Sequence, residues 1–242
     1  MSTEDDERSG STVLIPINAA EGEEMPVGLI ELLSLLRVVV LGYYPVPDQA
    51  SPEQLQADHE ADAAAVVDEA TARFLDRGTE VESLVVFTHD RSETVDRVAL
   101  DYDVDAVLTP GDCDGLNQVL VALRGDENLE AIVSFVADLV RDSDTAVTLY
   151  NVADSDDEAS RGELLLRGVC DRLDEEGVDL DRVEWQLDRG DSPSDAITAA
   201  TEEYDLLVVG ESEPSLRERI FGPTTGRVVE RVSRPVLVVR DR

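Results

Sequence analysis

A chain of 242 residues is long enough for two domains of ordinary size, and its 42 % hydrophobic content, drawn mainly from Val, Leu and Ala, supplies each with an aliphatic core. Fifty-five acidic residues face 20 basic ones, every one an Arg and none a Lys, for a net charge of −35. Such a field repels phosphate backbones and, with no basic stripe, excludes nucleic acid as a partner, while its self-repulsion is relieved only near molar salt, where the screening length falls to about 3 Å.

An acidic flexible tail is expected over residues 1–10. Thr12–Ile17 (TVLIPI) then reads as a buried strand and Pro26–Leu36 as a helix. Arg37–Tyr44 (RVVVLGYY) is the second strand, closed by Pro45, Pro47 and Pro52 before a long helix that begins near Ser51 or Pro52. Ala63, Val66, Val67, Ala70 and Phe74 recur at helical spacing and form its core stripe. Gly78 stops it. Val81–Thr88 is a third strand, Ser92–Tyr102 a helix with Val95, Val98 and Ala99 inward, and Asp105–Thr109 a fourth strand.

Pro110–Gly115 (PGDCDG) is a turn-rich break, after which the alternation restarts. The second series runs through a strand at Gln118–Leu123, a helix carrying Leu129, Ile132, Val133, Val136 and Leu139, and a strand at Ala146–Val152. A helix over about Ala159–Leu173, a strand at Val183–Leu187, a helix over about Ser194–Glu203 and a strand at Asp205–Val209 follow. A last helix near Thr224–Val232 leads to a closing strand, Pro235–Val239. This gives four strands before the break and five after it, with an internal repeat in which Asp105-Ala-Val-Leu corresponds to Asp205-Leu-Leu-Val. Alternation of this kind implies an α/β fold with parallel strands covered on both faces. The domains are then residues 11–115 and 116–242.

The apolar runs fall short of a membrane span, and the acidic start MSTEDDERSG is unlike a signal peptide, so a cytoplasmic protein of a salt-adapted cell is expected, without direct membrane insertion. Cys113 and Cys170 stand far apart and outside any CxxC spacing, and read as reduced structural thiols. His89 has no partnered nucleophile and reads as a solvated loop histidine; His59 lies among acids on a helix and reads as surface. A chain this acidic produces adjacent carboxylates without chemistry, so neither a catalytic dyad nor a metal site is assigned.

Arg189–Gly210, RGDSPSDAITAATEEYDLLVVG, resembles the G-x-P-x-x-x-I-x-x-x-A…D-L-I-V-x-G signature of the universal stress proteins, and Gly222 with SRPVLVVR resembles the end of that family's sequence. Over residues 11–111 the resemblance is carried by strand order, VLIPI and DAVLTP. It implies two flavodoxin-like or adenine-nucleotide-hydrolase-like parallel-sheet lobes, the first lacking its last helix and strand. Plain doubly wound packing explains the same punctuation mechanically, with Pro193 starting a helix, Asp205 capping and Gly210 turning.

In nucleotide-binding members of the family, a loop G-x2-G-x9-G-[ST] holds phosphates on backbone donors and a helix N-terminus. Here it runs from Gly210 through Gly222 to Gly226, with Glu213 and Pro214 near the place of the middle glycine and Pro223 in place of the Ser or Thr. Pro223 removes a donor, while Glu211 and Glu213 bring negative charge to the phosphate's place. Thr224 and Thr225 still offer hydroxyls, although first-turn helix positions explain them equally. The family's Asp after the first strand corresponds to Asn18 in the first lobe and Arg124 in the second. These changes lead to the expectation that Arg124 pairs with Glu211 or Glu213 and closes the crevice; the rival is that Arg124 recruits another anion.

The resemblance therefore implies a non-catalytic regulatory or binding module without a cofactor, working through protein contacts. A nucleotide sensor or slow ATPase using Gly210, Gly222, Thr224, Thr225 and ATP is the alternative. Family members pair through their last strand, so a homodimer through Pro235–Val239 is expected. The sequence also resembles tandem stress-protein tails of transporters in salt-adapted archaea, which makes a membrane transporter a candidate partner.

Overall fold

The computed structural model describes residues 10–22, 25–113, 115–125, 128–211, 228–229 and 231–240. Its first half runs β1 (Thr12–Asn18), α1 (Val27–Leu33), β2 (Arg37–Pro45), α2 (Pro52–Leu75), β3 (Val81–Thr88), α3 (Arg91–Asp101) and β4 (Ala106–Thr109). The second runs β5 (Gln118–Ala122), α4 (Leu129–Val140), β6 (Ala146–Ala153), α5 (Asp156–Glu175), β7 (Val183–Arg189), α6 (Pro193–Thr201), β8 (Leu206–Gly210) and β9 (Val236–Val239). The helix expected near Thr224–Val232 lies largely outside the described residues, with Val228 and Val229 helical. The tail over residues 1–10 lies outside them too, apart from Gly10.

The starts and stops have local causes. Pro52 and Pro193 occupy the first turns of α2 and α6, where a missing N–H leaves no bond unmade. Asp90 caps α3 by accepting from Glu93 N at 3.0 Å, and Gly78 takes the left-handed φ of +79° just past α2.

The nine strands of the described residues form one sheet, in the order β3-β2-β1-β4-β9-β8-β5-β6-β7. Each half is a parallel α/β lobe, and the first indeed lacks the last helix and strand of the second. The strands alternate sides strictly. Val13, Ile15, Val119, Val121, Leu237 and Val239 face a core that runs through both halves beneath α1, α2, α4 and α5. Their neighbours in sequence face the opposite side, where Leu14, Val39 and Leu41 pack under α3 and Leu120, Leu207 and Val238 form a separate cluster with α6 residues. Strands buried on both faces read as continuous Val/Leu/Ile runs, which is why β1, β5, β8 and β9 were legible as apolar stretches.

The dimer edge expected at Pro235–Val239 is corrected by the structure. β9 pairs in parallel with β8 and, on its other side, antiparallel with β4, with Leu108 opposite Leu237 and Thr109 opposite Val236. The first lobe ends one strand early, so its last strand is left open and takes up β9 from the second lobe. The edge offered to a second chain is thus filled within the first. The same pairing departs from an all-parallel sheet.

The repeated Asp has a structural cause. Asp105 accepts from Thr12 N at 2.7 Å at the start of β1, and Asp205 accepts from Asn117 N at 2.8 Å and Gln118 N at 3.1 Å at the start of β5. Each carboxylate caps the first strand of its lobe from the foot of the fourth. The corresponding main-chain bonds, Asp105 N to Thr12 O at 2.9 Å and Asp205 N to Gln118 O at 3.0 Å, complete two equivalent corners.

Candidate functional site

Open parallel sheets take ligands where neighbouring strands send their connections in opposite directions, beyond the strands' carboxyl ends. In the second lobe that point lies between β5 and β8, whose ladder ends with Ala122 opposite Val209. Leu123–Arg124 and Gly210–Glu211 therefore leave the sheet side by side, so the fold brings Arg124, Gly210 and Glu211 to one place. Glu213, Gly222, Thr224 and Thr225, with Pro214 and Pro223, lie outside the described residues.

Gly210 is needed for close approach. A Cβ there would stand 2.8 Å from Ile132 Cδ1 and 3.7 Å from Asn128 Nδ2, so the first turn of α4 lies against the tip of β8. Asn128 is the N-cap residue of α4, with a left-handed φ of 57°. Its Nδ2 donates to Val239 O at 3.0 Å, and Glu211 N donates to the same carbonyl at 2.7 Å. Asn128 Oδ1 is closed to solvent and has no hydrogen-bond partner among the described residues. The segments after β5, β8 and β9 are thereby tied together over the crevice.

Glu211 has a cation beside it in Arg240, the residue after β9. Arg240 Nε lies 4.0 Å from Glu211 Oε2, with both side chains only 15 % exposed, and Arg124 at the end of the neighbouring strand is exposed. Arg240 also joins the lobes, because its backbone N donates to Asp105 O at 2.8 Å. Its charge reaches Asp96 on α3 as well: burial pushes the Asp96 carboxyl above its ordinary value, Arg240 draws it back and Asp90 pushes it up again.

A carboxyl whose folded-state pKa is raised opposes folding when ionised, and that opposition vanishes once the pH falls below its ordinary range and both states are protonated. Asp96→Asn is therefore expected to raise the thermal midpoint at neutral pH, by less than the equivalent of about 1 kcal/mol because the site is half solvated, and to change nothing near about pH 3. Melting curves at the two pH values check this; an equal change at both would contradict it.

In the first lobe the equivalent point lies between β1 and β4. Asn18 ends β1 and its Oδ1 accepts from Ala20 N at 3.0 Å, a turn contact. A cavity of about 250 Å³ lies elsewhere, between the β1–α1 connection and α2, floored by Met25, Ile30, Val66 and Ala70 with Glu21, Glu69 and Arg73 around it. Arg73 is engaged there, donating to Met25 O at 3.2 Å.

The histidines have structural settings. His89 Nδ1 lies 3.0 Å from Val46 O. His59 is half-buried instead of lying free on the surface, its ring stacked on Tyr44 at 5.3 Å, and Tyr44 stacks in turn on Phe87 at 4.8 Å. Both cysteines are half-buried, and burial pushes the Cys170 thiol up, away from thiolate reactivity.

Sequence reading took Ile132 only as a core residue of its helix and passed over Asn128 and Arg240. Asn128 stands at the N-cap position of α4 without a side-chain capping bond, and its reach across to β9 depends on strand order. Arg240 sits in the quoted SRPVLVVR segment, where nothing local distinguishes it from any other arginine.

Comparison with known proteins adds the family. A search of curated proteins finds no match. Among solved structures, a universal stress protein from Archaeoglobus fulgidus DSM 4304 is similar over 95 % of this chain and 96 % of its own, with a TM-score of 0.67 and 16 % identity. A putative universal stress protein from Pseudomonas aeruginosa UCBPP-PA14 is similar over 96 % and 94 %, with a TM-score of 0.60 and 12 % identity. The cytoplasmic domain of a prokaryotic cation chloride cotransporter is similar over 96 % of both chains, with a TM-score of 0.54 and 12 % identity. The family model described as the universal stress protein family matches residues 115–240, more than half of the chain. This chain belongs to the universal stress protein family.

Proposed function

We propose that the chain is a regulatory or binding module of the universal stress protein type, acting by protein contact in a stress response and carrying no reaction of its own. The packing at the tip of β8 supports this reading most. Ile132 and Asn128 stand against Gly210, and Glu211 holds a carboxylate beside Arg240 where a phosphate would need donors. A phosphate placed there meets a fixed negative charge in a partly desolvated setting, where repulsion is felt strongly. In sequence, Pro223 and Glu213 act in the same direction.

The partner class we propose is a membrane transporter, on the precedent of the cotransporter whose cytoplasmic domain has this fold. The cytoplasm is the compartment that goes with it. Among the described residues no helix is long and apolar enough to cross a membrane, so such a partner would supply the membrane segment.

One observation favours a second reading, a nucleotide sensor. Asn128 Oδ1 is an acceptor without a donor among the described residues at the same crevice, and Gly210, Gly222, Thr224 and Thr225 keep part of the family's loop chemistry. The two readings separate when the full chain, purified in molar KCl, is denatured and its supernatant assayed for nucleotide. The proposed module releases none. Near-stoichiometric ATP or AMP would replace it with the sensor.

A further inference from the structure

With β9 enclosed, the edges of the sheet among the described residues are β3 and β7, and the two are protected very differently. An edge strand exposes a row of backbone donors and acceptors to any strand that can lie beside it, and charged side chains are the usual deterrent. β7 has Glu184, Asp188 and Arg189 among its seven residues. β3 has Glu82 alone, followed by Ser83-Leu-Val-Val-Phe-Thr88 without a charge, in a chain of which 31 % is charged. Leu84 through Thr88 are only half-buried although they belong to the sheet. Phe87 is held in place by its stack on Tyr44, which His59 backs.

We propose that β3 is the edge at which a second copy of this chain adds, antiparallel, to form a two-fold dimer with one sheet continuous across both copies. A two-fold axis perpendicular to the sheet keeps the α2 side of one copy level with the α2 side of the other, so facing residues must share the same strand face. An axis at Val85 meets this condition and sets Ser83 against Phe87, Leu84 against Val86, and Glu82 against Thr88 of the second copy. Within Val81–Thr88 no like charges face each other, and the acids that this register brings opposite, Glu80 and Asp90, lie beyond the ends of the strand. The same self-pairing is unfavourable for β7, where an axis at Gln186 would place Glu184 against the second copy's Asp188.

The net charge of −35 on each copy opposes association in dilute buffer and ceases to do so when the screening length shrinks to a few ångströms, so the dimer forms in molar salt and dissociates without it. Nothing here depends on whether the second lobe's crevice accepts nucleotide.

Light scattering on the full chain in molar KCl tests this, with amide hydrogen exchange as a second readout. The wild type is expected at about twice the 26.4 kDa of one chain, with β3 amides gaining protection as concentration rises and β7 amides unchanged. Ser83 is exposed, so Ser83→Lys is expected to keep the melting temperature while raising the dimer dissociation constant at least about tenfold. Gln186→Lys on β7, also at an exposed site, leaves the dimer intact. A wild type that stays monomeric up to high micromolar concentration overturns the proposal and leaves β3 to a strand from another protein. A Ser83→Lys chain that dimerises as tightly as the wild type overturns it in favour of another surface.

Discussion

Gly111→Ala is expected to destabilise the chain by about 3 kcal/mol, the scale of overpacking that no rotamer relieves. A Cβ at Gly111 would lie 2.5 Å from Arg234 C, 2.5 Å from Ser233 O and 2.6 Å from Pro235 N. All three atoms are backbone, so either the segment after β4 or the entry to β9 has to move. That movement pulls on the bond from Asp112 N to Ser233 O, 2.8 Å long, and on the antiparallel ladder between β4 and β9. Guanidinium chloride unfolding in high salt measures the loss. A midpoint equal to that of the wild type would show that the two lobes do not meet at Gly111 as described.

Asp205→Ala is the second large effect, expected at about 2 kcal/mol from the loss of two hydrogen bonds to a charged acceptor. Asn117 N and Gln118 N lose their acceptor at the start of β5, a strand buried at Val119 through Leu123. Asp205→Asn keeps an acceptor oxygen and is expected to recover much of the loss. Asp105→Ala, which releases the amide of Thr12, is expected to destabilise the matching corner of the first lobe. Unfolding curves of the three variants measure these losses. An Asp205→Asn chain as unstable as Asp205→Ala would mean that charge, not a hydrogen-bonded corner, is what Asp205 contributes.

These two sites also mark how far the sequence could be read. The elements were legible because their causes are local: Val-rich runs two or more residues longer than a turn, prolines at helix starts, Gly78 past a helix end. The repeat DAVL/DLLV was visible as letters, and its meaning followed once β4 lay beside β1 and β8 beside β5. The neighbour of β9 was not legible. An apolar strand declares that it is buried, but Pro235–Val239 carries no mark of which strand lies on its far side, and the choice fell to β4 because the first lobe lacks a strand of its own there. The crevice was half legible. The loss of the family's Asp and the acids after Gly210 were visible as letters, whereas Asn128 and Ile132 come from a different segment and reach Gly210 only through the tertiary packing of α4. Arg240 beside Glu211 has the same origin.

The central claim is that the crevice between β5 and β8 is taken up by the chain's own side chains. Isothermal titration of the full chain with ATP, AMP and cyclic AMP in molar KCl tests it most directly. The account predicts no heat of binding up to millimolar nucleotide. A dissociation constant in the micromolar range for any of the three would contradict it.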